Sequence, residues 1–292
     1  MKLSNSNLGH NKFDLFKIRI SSATRGARTS YPYISGDAFS EIADVSVFSQ
    51  IGILGVSIEQ LSEAKTIFCL SDRLNELIED FGKRIKAKVI ICGNSDYNFS
   101  EIPKNLPNSI KYLILQNSFI SGNNFIDTLP IGLENFRIAV NGNPKRITIN
   151  SSAPPSEEVL FGPFGDTHSE RRKVQTIFES DSNHWEYITE RKNSKGYDRL
   201  VSKYKYIAAV RGNGVDTHRV WETLYRGRIP IVKRDAWSES LARLDLPIAL
   251  VDEWSESEII RVISENKFDL FDPKSLHALW MPFWKEKVSS HL

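Results

Sequence analysis

Residues 209–232 read AVRGNGVDTHRVWETLYRGRIPIV, and the order of residue types in this stretch decides how the rest of the chain is read. An apolar run at 206–210 leads into it and a second at 229–232 closes it, so the unit is strand, tight turn, helix, strand. That is one half of a nucleotide-binding sheet. Gly212 and Gly214 permit positive φ and close backbone approach, so the turn can offer free N–H groups where the helix begins. A helix start carries partial positive charge and suits a phosphate. His218 and Arg219 add donors in the first turn, and Arg211 adds one at the strand end. Asn213, Asp216 and Thr217 complete the loop. Glu222 follows His218 by four residues and Arg219 by three, which puts it on the same face one turn further in. A carboxylate at that depth accepts both hydroxyls of a ribose, whereas it would repel the phosphate itself. The order therefore fits a nucleoside diphosphate along the helix mouth. A reading without a ligand stands beside it: Asp216 or Thr217 caps the helix, and Arg219 and Glu222 form a solvated pair worth a few tenths of a kcal/mol.

Outward from this unit, the first half alternates strand and helix. Residues 15–20, 65–70, 88–92 and 111–116 are short apolar strand candidates. Between two of them, DRLNELIEDFGKRI (72–85) places Leu74, Leu77, Ile78, Phe81 and Ile85 at helical spacing, with Asp72 at the start and basic residues at the end. A βα repeat predicts a parallel sheet. The segment NGNPKRITINSSAPPSEE (141–158) is the expected domain boundary, which divides the chain into 1–150, 151–275 and a terminal helix at 276–292. The second half adds a strand at 159–161, helices at 167–178 and 196–203, the opening unit, a strand at 247–251 and a capped amphipathic helix from Ser255. The closing segment carries Leu279, Trp280, Met281, Phe283 and Trp284 beside Lys285 and Lys287. It reads as a helix packed on the body. A membrane-surface helix is the second reading, which Pro282 disfavours by interrupting the pattern.

A short echo links the halves of the expected site. FGDTHSERR (164–172) and NGVDTHRVWE (213–222) both place Gly, Asp, Thr, His and Arg at a loop-to-helix junction, so Arg171 joins the phosphate-binding set. The same residues support a rival, a metal site built from His168, His218, Asp166, Asp216 and Glu222, although no HxxxH or HExxH pair is present.

Composition limits the classes of function. The 292 residues are 40% hydrophobic and 25% charged, as in an ordinary globular protein with a core. A net charge of +2 supplies no global field for nucleic acid. Cys69 and Cys92 end apolar runs and are expected as buried free thiols. With no signal-like or membrane-spanning stretch, the expected location is the cytoplasm, with peripheral attachment to the inner membrane open to it.

The run RGNGVDTHRVWETLYRGRIPIV, followed by LDLPIALVDEWSE, resembles the C-terminal half of exostosin-type glycosyltransferases, where RGNGxDTHRxWExLxxGxIPIV precedes a strand ending in Val-Asp-x-Trp. ISGDAFSEIAD (34–44), GNSDYNF (93–99), LPIGLEN (129–135) and GDTHSERRKV (165–174) resemble further blocks of bacterial, polysaccharide-related members. The resemblance implies an α/β, GT-B-like fold: two Rossmann-like βα domains facing across a cleft, the first on the acceptor side and the second holding the nucleotide-sugar donor. It implies transfer of a sugar, from a UDP-sugar, to a hydroxyl of a glycan or lipid-linked acceptor, with inversion and with no bound metal or other cofactor. Carried over, Glu222 would bind the donor ribose, and Arg211, His218 and Arg219 would surround the diphosphate with Arg171 beside them. The base that deprotonates the acceptor would come from the first half: Asp37 in ISGDAF, for which an ordinary helix cap is the competing role, then Asp96 in GNSDYNF. Glu134 and Asn135 would line the cleft. A metal-dependent hydrolase and a non-catalytic nucleotide-binding partner are the alternatives.

Overall fold

A computed structural model describes residues 30–47, 56–136, 144, 147, 155–180, 182–265 and 268–292. The expected strand at 15–20 and most of the expected boundary at 141–158 lie outside these residues. The chain is mixed α/β, with two five-stranded parallel sheets flanked by helices.

The first sheet consists of β1 (Val45–Val47), β2 (Thr66–Leu70), β3 (Val89–Gly93), β4 (Tyr112–Gln116) and β5 (Ile126–Leu129), paired in sequential order. Side chains alternate across it. Ile67, Cys69, Ile90, Cys92, Leu113 and Leu115 face one side, where Leu61 of α2 (Ile58–Glu63) and Leu74, Leu77 and Ile78 of α3 (Leu74–Phe81) pack on them. Phe68, Val89, Ile91, Tyr112 and Ile114 face the other. A parallel sheet that always steps in one direction with right-handed connections places every connection on the same face. Its opposite face must be covered from elsewhere.

The second sheet supplies the cover. Its strands are β6 (Ser156–Phe161), β7 (Trp185–Tyr187), β8 (Tyr204–Ala208), β9 (Ile229–Lys233) and β10 (Ala249–Val251), in the order β10-β9-β8-β6-β7. Counted within this half, that is the 2-1-3-4-5 order of a doubly wound sheet, with helices on both faces and a reversal between β6 and β8. One face carries Val174 and Phe178 of α4 (Ser169–Phe178) and Ile259 and Val262 of α8 (Glu256–Glu265). On the other lie α5 (Ser194–Val201), α6 (His218–Tyr225) and α7 (Ala236–Ala242).

Helices α6 and α7 serve both sheets. Val220, Trp221, Leu224 and Tyr225 of α6 and Trp237 and Leu241 of α7 share one buried cluster with Phe68, Ile91 and Ile114 of the first sheet. Phe39 of α1 (Gly36–Glu41) and Met281, Trp284 and Val288 of α9 (Met281–Ser289) join the same cluster. Between the sheets there is thus a layer of helices over a continuous core. The Tyr225 hydroxyl ties three segments together, accepting from the Ile34 N–H at 2.8 Å and donating to the Leu279 carbonyl. The terminal helix packs on the body with Trp284 fully buried. Pro282 sits in its first turn and starts it, rather than interrupting it as expected, because a helix's first N–H has no partner to lose.

Among the described residues, no helix is long and apolar enough to cross a membrane. Cys69 and Cys92 are buried free thiols, adjacent across β2 and β3, and burial pushes the Cys69 thiol up to about 12.

Because one cluster spans both halves, Leu224→Ala should destabilise the protein by about 2–5 kcal/mol. Urea unfolding of that variant, followed by tryptophan fluorescence and by far-ultraviolet circular dichroism, should remain a single transition. Two separated transitions would contradict a shared core.

Candidate functional site

The reversal between β6 and β8 places two loops side by side beyond the carboxyl ends of their strands, where doubly wound sheets bind ligands. One is 162–168, leading into α4, and the other is 209–217, leading into α6. Both expected Asp-Thr-His junctions lie here.

Arginines hold the two loops to each other. Arg171 donates from Nε to the Arg211 carbonyl at 2.9 Å, from Nη2 to the Val210 carbonyl at 3.1 Å and from Nη1 to the Gly165 carbonyl at 3.1 Å. Burial, with Arg219 nearby, pulls its guanidinium down to about 10. Arg219 donates to the carbonyls of Gly162 (3.2 Å) and Pro163 (2.7 Å) and lies over the rings of Phe164 and Tyr197. These two residues, expected as phosphate contacts, organise the loop backbones. The spacing that places an arginine one turn into a helix beside a second loop serves either role, so sequence alone does not separate them.

The first half fixes the 209–217 loop from its other side. Asn117, in left-handed conformation (φ 54°) just after β4, accepts from the Asp216 N–H at 3.0 Å. A Cβ on Gly214 would lie 2.8 Å from the Asn117 side chain, so glycine is required there by close approach. Neither Gly212 nor Gly214 has the positive φ that the sequence suggested. Asp216 is buried and accepts from the Ile131 N–H at 2.7 Å and from the Trp221 indole at 2.8 Å. Through the Ile131 bond it joins the halves. Asn213 donates to Asp96 at 3.1 Å, which brings that first-half carboxylate against the loop.

Several expected groups converge around the start of α6. Thr217 is the N-cap residue, but its side chain makes no cap bond and its buried Oγ1 has no partner. His218 contacts the Gly132 carbonyl through Nδ1 at 2.8 Å. Glu222 is half-buried, and among the described residues nothing donates a hydrogen bond to its carboxylate. Burial raises its pKa above the ordinary glutamate value, while Arg226, His218 and Arg219 oppose the shift and Glu134 of the first half adds to it. Arg226 itself is paired with Asp198, its Nε at 2.6 Å.

Asp37 and Asp96 part company. Asp37 is buried in the first turn of α1, its N–H donating to Asn135 at 2.8 Å; the cap of that helix is Ser35. Asp96 is exposed beside Asn213. The five side chains of the metal alternative do not converge. Asp166 pairs with Arg172 at 2.8 Å, and His168 caps α4 by accepting from the Glu170 N–H at 3.2 Å. Asp216 and His218 are held as described. Among the described residues, no group of three or more His, Cys, Asp and Glu side chains is placed to hold a metal.

Arg211 lines a pocket of about 310 Å³ with Phe119, Glu170, Lys233, Arg234, Asp235 and Trp237. The sequence reading missed all but Arg211 of these. The signal lay in KRDAW (233–237), a polar stretch that begins where β9 ends and is therefore at the ligand-binding end of the sheet.

No protein-family model matches the chain, and no curated protein matches it either.

Two outcomes test this geometry. Arg171→Lys cannot reproduce a planar fork on three carbonyls and should cost at least about 2 kcal/mol in urea unfolding; a neutral change would mean the two loops hold without it. The second concerns Asp216, whose folded-state pKa is raised by burial to about 7, above its value in the unfolded chain. The stability tied to its protonated form is therefore present below about pH 4 and lost as pH rises through about 7. Asp216→Asn should be less stable than the parent throughout, because it loses an acceptor, and the gap in Tm should narrow between about pH 4 and 7. A gap that widens with pH would reverse the assignment.

Proposed function

We propose that the protein is a glycosyltransferase that moves a sugar from a nucleotide-sugar to a hydroxyl of a glycan or lipid-linked acceptor, in the two-domain GT-B manner. The observation that carries this reading is the start of α6. It has no side-chain cap, two glycines precede it, and one turn in is a half-buried Glu222 carboxylate that receives no hydrogen bond among the described residues. Free N–H groups at a helix start suit a phosphate, and a desolvated carboxylate lacking donors suits the paired hydroxyls of a ribose. The resemblance of 209–254 to exostosin-type enzymes points the same way.

In this reading the diphosphate lies against the 211–217 loop with the ribose on Glu222, and UDP is the expected carrier. Asp96 is a better base than Asp37, being exposed and beside the loop where Asp37 is buried in a helix. It would take the proton of the acceptor hydroxyl as the new C–O bond forms at the anomeric carbon. The bond from that carbon to the diphosphate breaks in the same step, and the leaving charge is met by the α6 N–H groups, with Arg211 beside the same loop. Metal independence follows from that stabilisation.

A thermal-shift panel of UDP, GDP, CMP and ADP, with and without EDTA, tests the donor site. One nucleotide should stabilise the protein regardless of EDTA, and Glu222→Gln should weaken it about tenfold. Since the ionised carboxylate of Glu222 is the stronger acceptor for the ribose hydroxyls, and burial raises its pKa, nucleotide affinity should fall on acidification at a pH above the ordinary glutamate range. Unchanged nucleotide affinity in a folded Glu222→Gln variant would remove Glu222 from the site. Asp96→Asn should keep nucleotide binding and lower transfer by at least about a hundredfold; full activity in that variant would exclude Asp96 as the base.

A further inference from the structure

Two adjoining cavities at the carboxyl end of the second sheet lie outside the donor arrangement above. The first, of about 310 Å³, is the Arg211 pocket; the second, of about 280 Å³, runs along α4 past His168, Lys173 and Ile177 to Trp254. Glu170 and Lys233 line both, so the two form one trough. Thr217, His218 and Glu222 line neither. The trough begins where β8 and β9 end, which is the ligand-binding end of a doubly wound sheet.

Arg211 is the anomaly at this end of the sheet. The other arginines withdrawn from solvent, Arg171, Arg219, Arg226 and Arg228, each donate to carbonyls or to a carboxylate. Arg211 is half-buried, yet among the described residues its side chain makes no hydrogen bond and no ion pair. Of its guanidinium nitrogens only Nε is closed off from solvent, which leaves the Nη end of the fork accessible. A charge partly removed from water costs free energy until a counter-charge meets it.

The charges along the trough narrow the ligand. Its lining carries Arg211, Lys233, Arg234 and Lys173 against Glu170 and Asp235. The lysine is outward and the carboxylates are withdrawn: the Lys233 side chain is 49% exposed, whereas Glu170, 3.8 Å away, is 16% exposed. Asp235 is engaged as the cap of α7, accepting from the Ser238 N–H at 2.8 Å. Arg234 is held by Asp252 at 2.7 Å, so Arg211, Lys173 and the outward end of Lys233 are left for a ligand. His168, on the same wall, senses the excess. Burial holds its imidazole below the ordinary histidine pKa, and Arg211, Arg171 and Lys173 push it further down against the opposing pull of Glu170. A neutral ligand would leave that charge unmet. A phosphate monoester carries close to two negative charges at neutral pH and turns several oxygens towards a guanidinium fork and the ammonium groups around it, where a carboxylate brings a single charge.

We propose that the trough binds a phosphomonoester dianion, held by Arg211 with Lys233 and Lys173, at a site distinct from the nucleotide arrangement at α6. The phosphate belongs to a small phosphorylated molecule in its own right; the diphosphate of a nucleotide reaching across from α6 is the rival source, and competition separates the two. The capacity for phosphate does not rest on the transferase reading.

The test is isothermal titration calorimetry on the full-length protein in phosphate-free buffer, with inorganic phosphate, glucose 6-phosphate, glucuronate and glucose as probes. At least one of the two phosphates should bind saturably at millimolar concentrations or below, glucuronate at least about threefold more weakly, and glucose not at all. Arg211→Gln should weaken phosphate binding about tenfold or more. Lys173→Ala, on the exposed side of α4 where no folding defect is expected, should weaken it about two- to fivefold, and Lys104→Ala, an exposed lysine of the first half, should change nothing. Saturating UDP should not displace the phosphate, and Glu222→Gln should leave its affinity as in the parent. The proposal is overturned if neither phosphate binds at tens of millimolar, if glucuronate binds as well, or if folded Arg211→Gln or Lys173→Ala binds as the parent does. Mutual exclusion of UDP and phosphate would also overturn it, by making the trough part of the nucleotide site. Phosphate binding without a response to any nucleotide would leave the trough standing and remove the transferase reading; a nucleotide response lost in Glu222→Gln, with no phosphate binding, would do the reverse.

Discussion

The structure depends on a handedness constraint. Five parallel strands laid down in sequential order carry their right-handed connections on one face, and the other face, with Phe68, Val89, Ile91, Tyr112 and Ile114, is left apolar and bare. Only another part of the chain can cover it. The cover comes from α6, α7 and α9, which belong to the second half and the terminus. Helix α6 consequently carries a broad apolar face, with Val220, Trp221, Leu224 and Tyr225 all buried and His218, Arg219 and Glu222 on the other side. Two sheets of different topology are thereby made into one body.

That arrangement also sets the site. Because α6 is clamped between sheets, the loop that leads into it has little freedom, and its approach to the first half is closed by Gly214 against Asn117 and by Asp216 against Ile131. The residues with the strongest look of ligands on paper, Arg171, Arg219 and Asp216, are those that hold the loop. What they leave accessible are the start of α6, the Glu222 carboxylate and the cavity behind Arg211. Rigid scaffolding from charged side chains and open chemistry from their neighbours is how a loop at the end of a sheet can be both fixed and receptive.

Much of this was legible in the residues. The strand-turn-helix-strand reading of 206–232 corresponds to β8, α6 and β9, with β8 starting two residues earlier than the apolar run suggested. Strands β2, β3 and β4 stood out as apolar runs, since both of their faces are buried. The short strands β1, β5 and β7 left no comparable pattern. A signal that was present and passed over is the recurrence of KVIICGNS at 88–95 and KYLILQNS at 111–118, with KTIFCLS at 65–71 before them. The interval of 23 residues, with an asparagine in left-handed conformation after β3 and again after β4, is the mark of sequential strands. The roles of Arg171 and Asp216 could not be read this way. Whether an arginine meets a phosphate or a carbonyl depends on which backbone lies opposite, and that is decided by the packing of elements remote in sequence.

The shared layer of helices also bears on synthesis of the protein. The first sheet can pair its strands once Gln116 and the residues through Leu129 have left the ribosome, but the helix that completes the cover of its apolar face ends near Val288. Roughly 160 residues separate these points, which at about 5–20 residues per second is on the order of ten to thirty seconds. For that interval the apolar face of the first sheet has only α1 and its neighbours, Ile34, Ala38, Phe39 and Leu133, from its own half to cover it.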